Sequence, residues 1–319
     1  MEYVHFHNQA FELAVRAGLK IRKKSKLTIQ DINKVNGIMI CDMDPLLRSI
    51  SCPWSSDSDC RNVIFPEVWF NVNSSDDNSW VEDLLHFDLI RSLFVFTQIQ
   101  DFSFINKMKR LQELQIRDCI PKAWTFIEEL VSLRKLAIFN SNFSDLNPLV
   151  KLYEKQVVNR KEESVKLDKN QYKSLSYAYL GKLCLVDCNI EDINPLSKLK
   201  ELRELNLSHN QIFDLRPLAE VEWLYYVILR YNQIEDISPL QNLRRIYLLN
   251  LRHNKIRDIS ALSAFHDTHI GRLYLGYNKI TDYSILSNIF LVHSDLEELV
   301  ERSQSFTGDN HLEKRGDSI

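Results

Sequence analysis

Glycine is scarce in this chain. Its 319 residues hold 7, so whatever turns it makes must be stabilised by side chains rather than by backbone freedom. Long apolar runs are missing too: no stretch approaches the roughly 18 uninterrupted apolar residues of a membrane-crossing helix, and no membrane partner is expected. The opening residues MEYVHFHNQAFELAVRAGLK lack the basic region and apolar core of a secretory signal. Six cysteines are too few for a disulfide framework in a chain this long, which points to a reducing, cytoplasmic compartment. A net charge of −3 argues against general nucleic-acid binding. Phosphate-cradling glycine loops and nucleophile-elbow motifs are absent, and no cofactor is expected.

What is present is repetition. Aligning Leu202, Leu224 and Ile246 brings Leu205, Val227 and Leu249 into one column, and Leu207, Leu229 and Leu251 into the next. Asn210, Asn232 and Asn254 follow, then Ile212, Ile234 and Ile256. The period is 22 residues and the pattern is LxxLxLxxNxIxDIxPLxxLxx. Repetition at such a period marks a solenoid, in which each unit buries its apolar face only against its neighbours.

This spacing resembles the leucine-rich-repeat family. It resembles in particular the 22-residue subclass of bacterial internalins and of a leucine-rich regulatory subunit of a eukaryotic protein phosphatase. The resemblance implies a bacterial origin and a right-handed α/β solenoid with a concave parallel β-sheet. It also implies short 3-10 or helical convex segments and a helical N-terminal cap. The expected layout places the helical cap at 1–34 and irregular repeats at 35–178, with insertions at 44–66, 73–79 and 155–179. Regular repeats follow at 179–294, then a closing helix and disordered tail at 295–319. Near the start, Phe70 and Val72 suggest one degenerate strand, and Thr28 with Asp31 a capping box.

Three polar columns have structural readings. The asparagine column runs Thr97, Cys119, Ser141, Cys188, Asn210, Asn232, Asn254, Asn278, all small and able to hydrogen-bond. Asparagine there should satisfy buried backbone groups after the strand, as in the family, and the two cysteines should share that task rather than act as redox thiols. The aspartates Asp101, Asp145, Asp192, Asp214, Asp236, Asp258 and Asp282 should start tight turns. Pro148, Pro195, Pro217 and Pro239, three residues later, suit the opening of a short helix.

Function must then lie between the leucines. The candidate partner-binding residues are Glu204, His209, Tyr226, Arg230 and Tyr231, followed by Asn250, Arg252, His253, Arg272, Tyr274 and Tyr277. Tyrosine and arginine are enriched at binding hot spots, and adjacent Arg230 and Arg252 favour an acidic partner surface. Catalysis is not expected. His209 and His253 are two repeats apart, roughly 10 Å by strand spacing, too far for one zinc ion. Cys184 beside His209 is the one conceivable thiol–imidazole pair, and no orienting carboxylate accompanies it. The acidic pairs Asp57/Asp59 and Asp76/Asp77 lack the rest of a calcium loop, so no metal site is expected.

The expectation is a non-catalytic, monomeric module that binds a protein partner through its concave face. A regulatory or inhibitory subunit of an enzyme such as a phosphatase, and a host-directed bacterial effector, are the alternatives. The register makes one demand of stability: Leu205→Ala should cost about 2–5 kcal/mol, read as a lowered midpoint in thermal or urea unfolding.

Overall fold

The computed structural model describes residues 2–22, 25–42, 66–74, 79–164, 179–243, 245–265, 270–289 and 291–295. Among them are eleven strands: β1 (Gly37–Cys41), β2 (Val68–Asn71), β3 (Ser92–Phe96), β4 (Glu113–Arg117), β5 (Lys135–Phe139), β6 (Lys182–Val186), β7 (Glu204–Asn206), β8 (Tyr226–Ile228), β9 (Leu248–Asn250), β10 (Ile270–Tyr274) and β11 (Leu291–Ser294). They form one sheet in the order β11-β10-β9-β8-β7-β6-β5-β4-β3-β1-β2, every pairing parallel. The register follows the leucine columns, with Leu183, Leu205, Val227, Leu249 and Leu273 opposite one another in turn. All five are buried, as are the isoleucines and leucines returning on the other side of the core. Burying each such side chain contributes about 1.5–3 kcal/mol, and a single continuous core results.

The asparagine column works as a relay between repeats. Asn232 Nδ2 donates to the Leu229 carbonyl of its own repeat (3.0 Å) and to the Leu207 carbonyl of the one before (2.9 Å), while its Oδ1 accepts from Ile212 N (3.0 Å). Asn254 and Asn278 repeat this arrangement, and Asn210 accepts from both Cys188 N and Ile190 N. In the earlier repeats the thiol of Cys119 donates to Thr97 O, and that of Cys188 to Ile138 O and Val186 O. Burial pushes the Cys119 thiol up to about 11 and the Cys188 thiol up to about 12, so neither holds a reactive thiolate near neutrality.

The aspartate column opens the outer segments. Asp101, Asp192, Asp214, Asp236, Asp258 and Asp282 each accept a backbone N–H two residues on, at 2.7–2.9 Å, where a short 3-10 helix begins. Pro195, Pro217 and Pro239 sit in the first turn of theirs. One repeat departs from this scheme. After Asp145 the outer segment is an α-helix of 18 residues, Asn147–Ser164, rather than a single 3-10 turn. The expected insertion at 155–179 therefore begins as an extension of that helix. Buried Gln156 anchors it, donating to Leu133 O (2.7 Å) and accepting from Leu180 N (3.1 Å). Residues 165–178 of the insertion lie outside the described residues, as do most of the insertions at 44–66 and 73–79.

The N-terminal end is ordered differently from the chain. The degenerate strand expected at Phe70 and Val72 is β2, although Val72 itself starts a 3-10 turn. Its place is at the outer edge, beyond β1, so β1 lies between β2 and β3. Helix α1 (Gln9–Gly18) therefore covers β2, with Phe11 against Phe70 at 5.0 Å between ring centroids. Gly18 permits the approach, since a Cβ there would meet the Glu67 carbonyl oxygen at 2.3 Å. The capping box of Thr28 and Asp31 is present at the second short helix, Ile29–Ile32. Asp83, fully buried at the end of the helix Trp80–Asp83, accepts His7 N (2.8 Å) and Asn8 N (2.9 Å), and Asn8 in turn caps α1.

At the other end, β11 extends the sheet one strand past the repeats read from the sequence. Asp295 follows it, buried, and accepts from Leu275 N (3.0 Å), Gly276 N (2.8 Å) and Arg252 Nε (2.6 Å). The expected closing helix and tail from 296 onward lie outside the described residues.

The relay carries a measurable share of stability. Asn232→Ala strands two buried carbonyls and one N–H, and a loss of about 2–4 kcal/mol is expected, measured by urea unfolding under far-UV circular dichroism. Asn232→Cys, which keeps one sulfur donor as Cys188 does, should lose less.

Candidate functional site

The sheet face opposite the core differs along its length. In β1 and β3 it is closed: Met39, Cys41, Phe94 and Phe96 form a second buried apolar cluster with Trp69 packed against it. From β7 onward the face carries mostly polar and aromatic side chains that are half-buried or exposed, with half-buried Ile228 and buried Leu248 among them.

Just after each strand from β4 to β10, the residue at one repeat position takes a left-handed backbone conformation. In the earlier repeats these are Asp118, Asn140 and Asp187, with φ of 58°, 48° and 57°. Aspartate and asparagine tolerate that region because their short side chains bond locally. The last four repeats place His209, Tyr231, His253 and Tyr277 there instead, with φ of 57°, 57°, 56° and 61°. Left-handed backbone costs an ordinary residue about 1–2 kcal/mol, so large rings at these positions need a compensating interaction.

They have one. The four rings stack in a continuous column, His209 on Tyr231 at 4.2 Å, Tyr231 on His253 at 4.0 Å and His253 on Tyr277 at 4.0 Å, with interplanar angles of 18°, 9° and 9°. The repeat spacing imposes this. Each position's N–H bonds to the next repeat's backbone, His209 N to Arg230 O and Tyr231 N to Arg252 O, both 3.0 Å, so successive rings are held one strand apart. Partial burial, then the Arg230 charge, hold the His209 imidazole below its ordinary range, against the pull of Asp187. His253 is lowered by burial first, then by Arg252, Arg230 and His209. Both rings are therefore neutral at pH 7 and fit an uncharged stack.

The other candidates divide. Arg230 is exposed, lies over the Tyr231 ring at 5.9 Å, and has no carboxylate in ion-pair range among the described residues. Arg252, its neighbour in the column, is held by Asp295 and lies over Tyr274 at 4.8 Å. Its charge is thus committed to closing the end of the solenoid. Glu204 is ion-paired with Lys182 across the β6–β7 rung. Asn250 accepts the Arg252 N–H at 3.2 Å, a local turn contact. Tyr226 packs edge-on against Tyr225 (4.9 Å) and Tyr247 (5.9 Å). Arg272 and Tyr274 occupy neighbouring face positions on β10, half-buried. Cys184 lies on the outward face of β6, opposite Asn206 of β7, and is fully buried there.

A second aromatic group went unread in the sequence because it belongs to the turn before each strand. Tyr225 stacks on Tyr247 at 5.3 Å, Arg245 covers the Trp223 ring at 4.1 Å, and Arg160 covers Tyr179 at 4.3 Å. Several of these line a cavity of about 860 Å³ at the N-terminal ends of β5–β8. Their spacing in the sequence was the available signal, with Tyr225 and Tyr247 one residue before their strands and Tyr179, Trp223 and Arg245 three residues before. Among the described residues no three His, Cys, Asp or Glu side chains come together as a metal site, and no helix is long and apolar enough to cross a membrane.

Lowered imidazole pKa values imply acid sensitivity. An unfolded imidazole titrates near 6.5. Below that pH the unfolded chain binds more protons, so this contribution is intact above about 6.5 and is lost as pH falls through the folded values. NMR titration should place the His209 and His253 midpoints below about 6.5. The double variant His209→Phe/His253→Phe, which keeps the rings, should lose that share of the acid sensitivity of unfolding.

A family model, Leucine Rich repeats (2 copies), matches residues 182–220, covering β6, β7 and their outer segments. No curated protein matches the sequence. Among solved structures, internalin C2 from Listeria monocytogenes is 19% identical with a TM-score of 0.53, covering 91% of this chain and 93% of its own. An internalin, InlF, from the same organism is 17% identical with a TM-score of 0.36, covering 91% and 95%. A plant peptide hormone receptor, RGFR1, solved in complex with RGF2, is 17% identical with a TM-score of 0.42, covering 62% and 34%. Internalin C2 shares the fold at an identity too low to carry function. With the leucine columns buried in register, the asparagine relay joining neighbouring repeats and the parallel sheet running through them, this protein is a leucine-rich-repeat solenoid.

Proposed function

We propose that the protein binds a protein partner through the sheet face at β7–β10, with the His209–Tyr231–His253–Tyr277 column as the contact spine and Arg230 as the cation beside it. Leucine-rich-repeat proteins of this kind are generally protein-interaction modules. The observation that carries the finer reading is the occupancy of the left-handed positions. Four adjacent repeats place large rings where Asp or Asn would do, and leave Tyr231 40% and Tyr277 48% exposed. Folding needs no rings there, as Asp118, Asn140 and Asp187 demonstrate. Strain retained at an exposed site is a mark of function rather than of packing.

The chemistry favours a partner with apolar or aromatic side chains to lie along the ring edges and a carboxylate for Arg230. Such stacked aromatic anchors immobilise few torsions on binding, which keeps the entropic cost low. The test is affinity capture followed by titration with the captured protein. Tyr231→Asn and Tyr277→Asn keep a residue suited to left-handed backbone and remove the rings. Each, and Arg230→Glu, should weaken the partner by roughly tenfold or more with unfolding midpoints little changed. Undiminished affinity in all three would move the site off this face. Arg252 is unsuited to the test, because losing it would also break the Asp295 closure.

A further inference from the structure

The residue before each strand forms its own ladder, at the opposite ends of the strands from the ring column. Arg134 O accepts Gly181 N (3.0 Å), Gly181 O accepts Arg203 N (2.9 Å), Arg203 O accepts Tyr225 N (2.7 Å), and Tyr225 O accepts Tyr247 N (2.8 Å). Four of these five rungs carry long side chains and one carries none. Gly181 is not required there by the fold: its φ is not positive, and an added Cβ would find only ordinary contacts, Glu201 O at 3.7 Å and Tyr179 O at 3.8 Å. Elsewhere the fold does demand glycine, as at Gly271, where a Cβ would meet the Tyr247 ring at 2.1 Å. The bare rung leaves a gap roughly two strand spacings wide, about 10 Å, between Arg134 and Arg203, within the cavity of about 860 Å³.

The walls of this cavity are aromatic and cationic. Trp223 and Tyr225 are 46% and 43% exposed. Lys182 is neutralised by Glu204, and Lys135 by Glu113 at 3.4 Å. Arg134 and Arg245 have no carboxylate in ion-pair range among the described residues. A second cavity of about 440 Å³ shares Arg134 and Lys135 and continues past Gln112 and Arg91 along the same strand ends. Together they make an elongated trough rather than a closed pocket.

We infer that this trough is a second binding site, for an extended acidic segment of a protein that carries a large apolar or aromatic side chain. The apolar side chain seats over Gly181 between the flanking arginines, and carboxylates pair with Arg134 and Arg245. Length favours a peptide over a compact small molecule. The net charge of −3 disfavours a nucleic-acid strand, which needs a continuous cationic track. The site is independent of the ring column, which lies at the other ends of the strands.

The test is fluorescence anisotropy with a fluorescein-labelled peptide of glutamates interrupted by two phenylalanines, its lysine counterpart, and labelled oligothymidylate. Saturable binding of the glutamate peptide is expected, weakened by raised salt. Roughly tenfold or greater loss is expected in Gly181→Leu, which fills the gap, and in Arg134→Glu/Arg245→Glu, whose exposed side chains can change without threatening the fold. Arg230→Glu should leave this binding unchanged, which separates the trough from the sheet face. No saturable binding to the wild type would overturn the inference. So would unchanged affinity in both trough variants, equal loss in Arg230→Glu, or tighter binding of the lysine peptide or the oligothymidylate.

Discussion

The solenoid depends on one constraint: backbone groups that turn inward after each strand are buried and must find partners in the adjacent repeat. A lone repeat cannot meet it. Asn210, Asn232, Asn254 and Asn278 do so by bonding two repeats at once, which makes every unit's polar satisfaction contingent on its neighbour. A buried unsatisfied group costs about 1–3 kcal/mol, comparable to the gain from burying one leucine, so the relay decides stability as much as the apolar columns do. Glycine can be scarce because these amides, and the aspartates that open the outer turns, do by hydrogen bonding what glycine would do by flexibility.

A relay of this kind has ends, and an aspartate closes the last one. Leu275 N would bond a carbonyl of the next strand, as Leu251 N bonds Tyr274 O one repeat earlier, and Gly276 N, like Arg252 N on Asn250 Oδ1, needs a side-chain acceptor. Asp295 supplies those acceptors from its carboxylate, and Arg252 balances the buried charge. In the N-terminal cap, outside the repeats, buried Asp83 accepts the N–H groups of the segment leading into the first helix. A buried carboxylate is tolerable at each place because backbone N–H donors surround it.

The repeats were legible from residue 180 onward because the columns persist there, 22 residues apart through Asn254 and 24 to Asn278, and the roles of the asparagine, aspartate and proline columns follow from local chemistry. The N-terminal order was not legible. Nothing in a strand's own residues states whether it pairs outside or inside its predecessor, and β2 crossing beyond β1 is settled by α1, Phe11 and Gly18. The helix Asn147–Ser164 was half legible: Pro148 marked its start, but the charged run through Lys155 and Glu154 reads equally well as loop. Glu204, Tyr226, Asn250, Arg272 and Tyr274 lie on the strands and the other candidates just after them, while the stacking of His209, Tyr231, His253 and Tyr277 could not be foreseen. Residues 22 or 24 apart stack only because their shared left-handed backbone aims them alike.

Position in a repeat therefore fixes geometry without fixing role. Arg230 and Arg252 occupy the same place in successive repeats and lie on the same face. One has no carboxylate in ion-pair range among the described residues, and the other is consumed by Asp295 because its repeat stands nearer the end. Likewise Gly181 and Gly271 share a column, yet Tyr247 packing makes Gly271 obligatory while Gly181 keeps a gap that the fold does not ask for. In a periodic structure the residues to suspect of function are those whose departure from the column has no structural cause. By that criterion the rings of the last four repeats and the bare rung at Gly181 stand apart from every leucine, asparagine and aspartate around them.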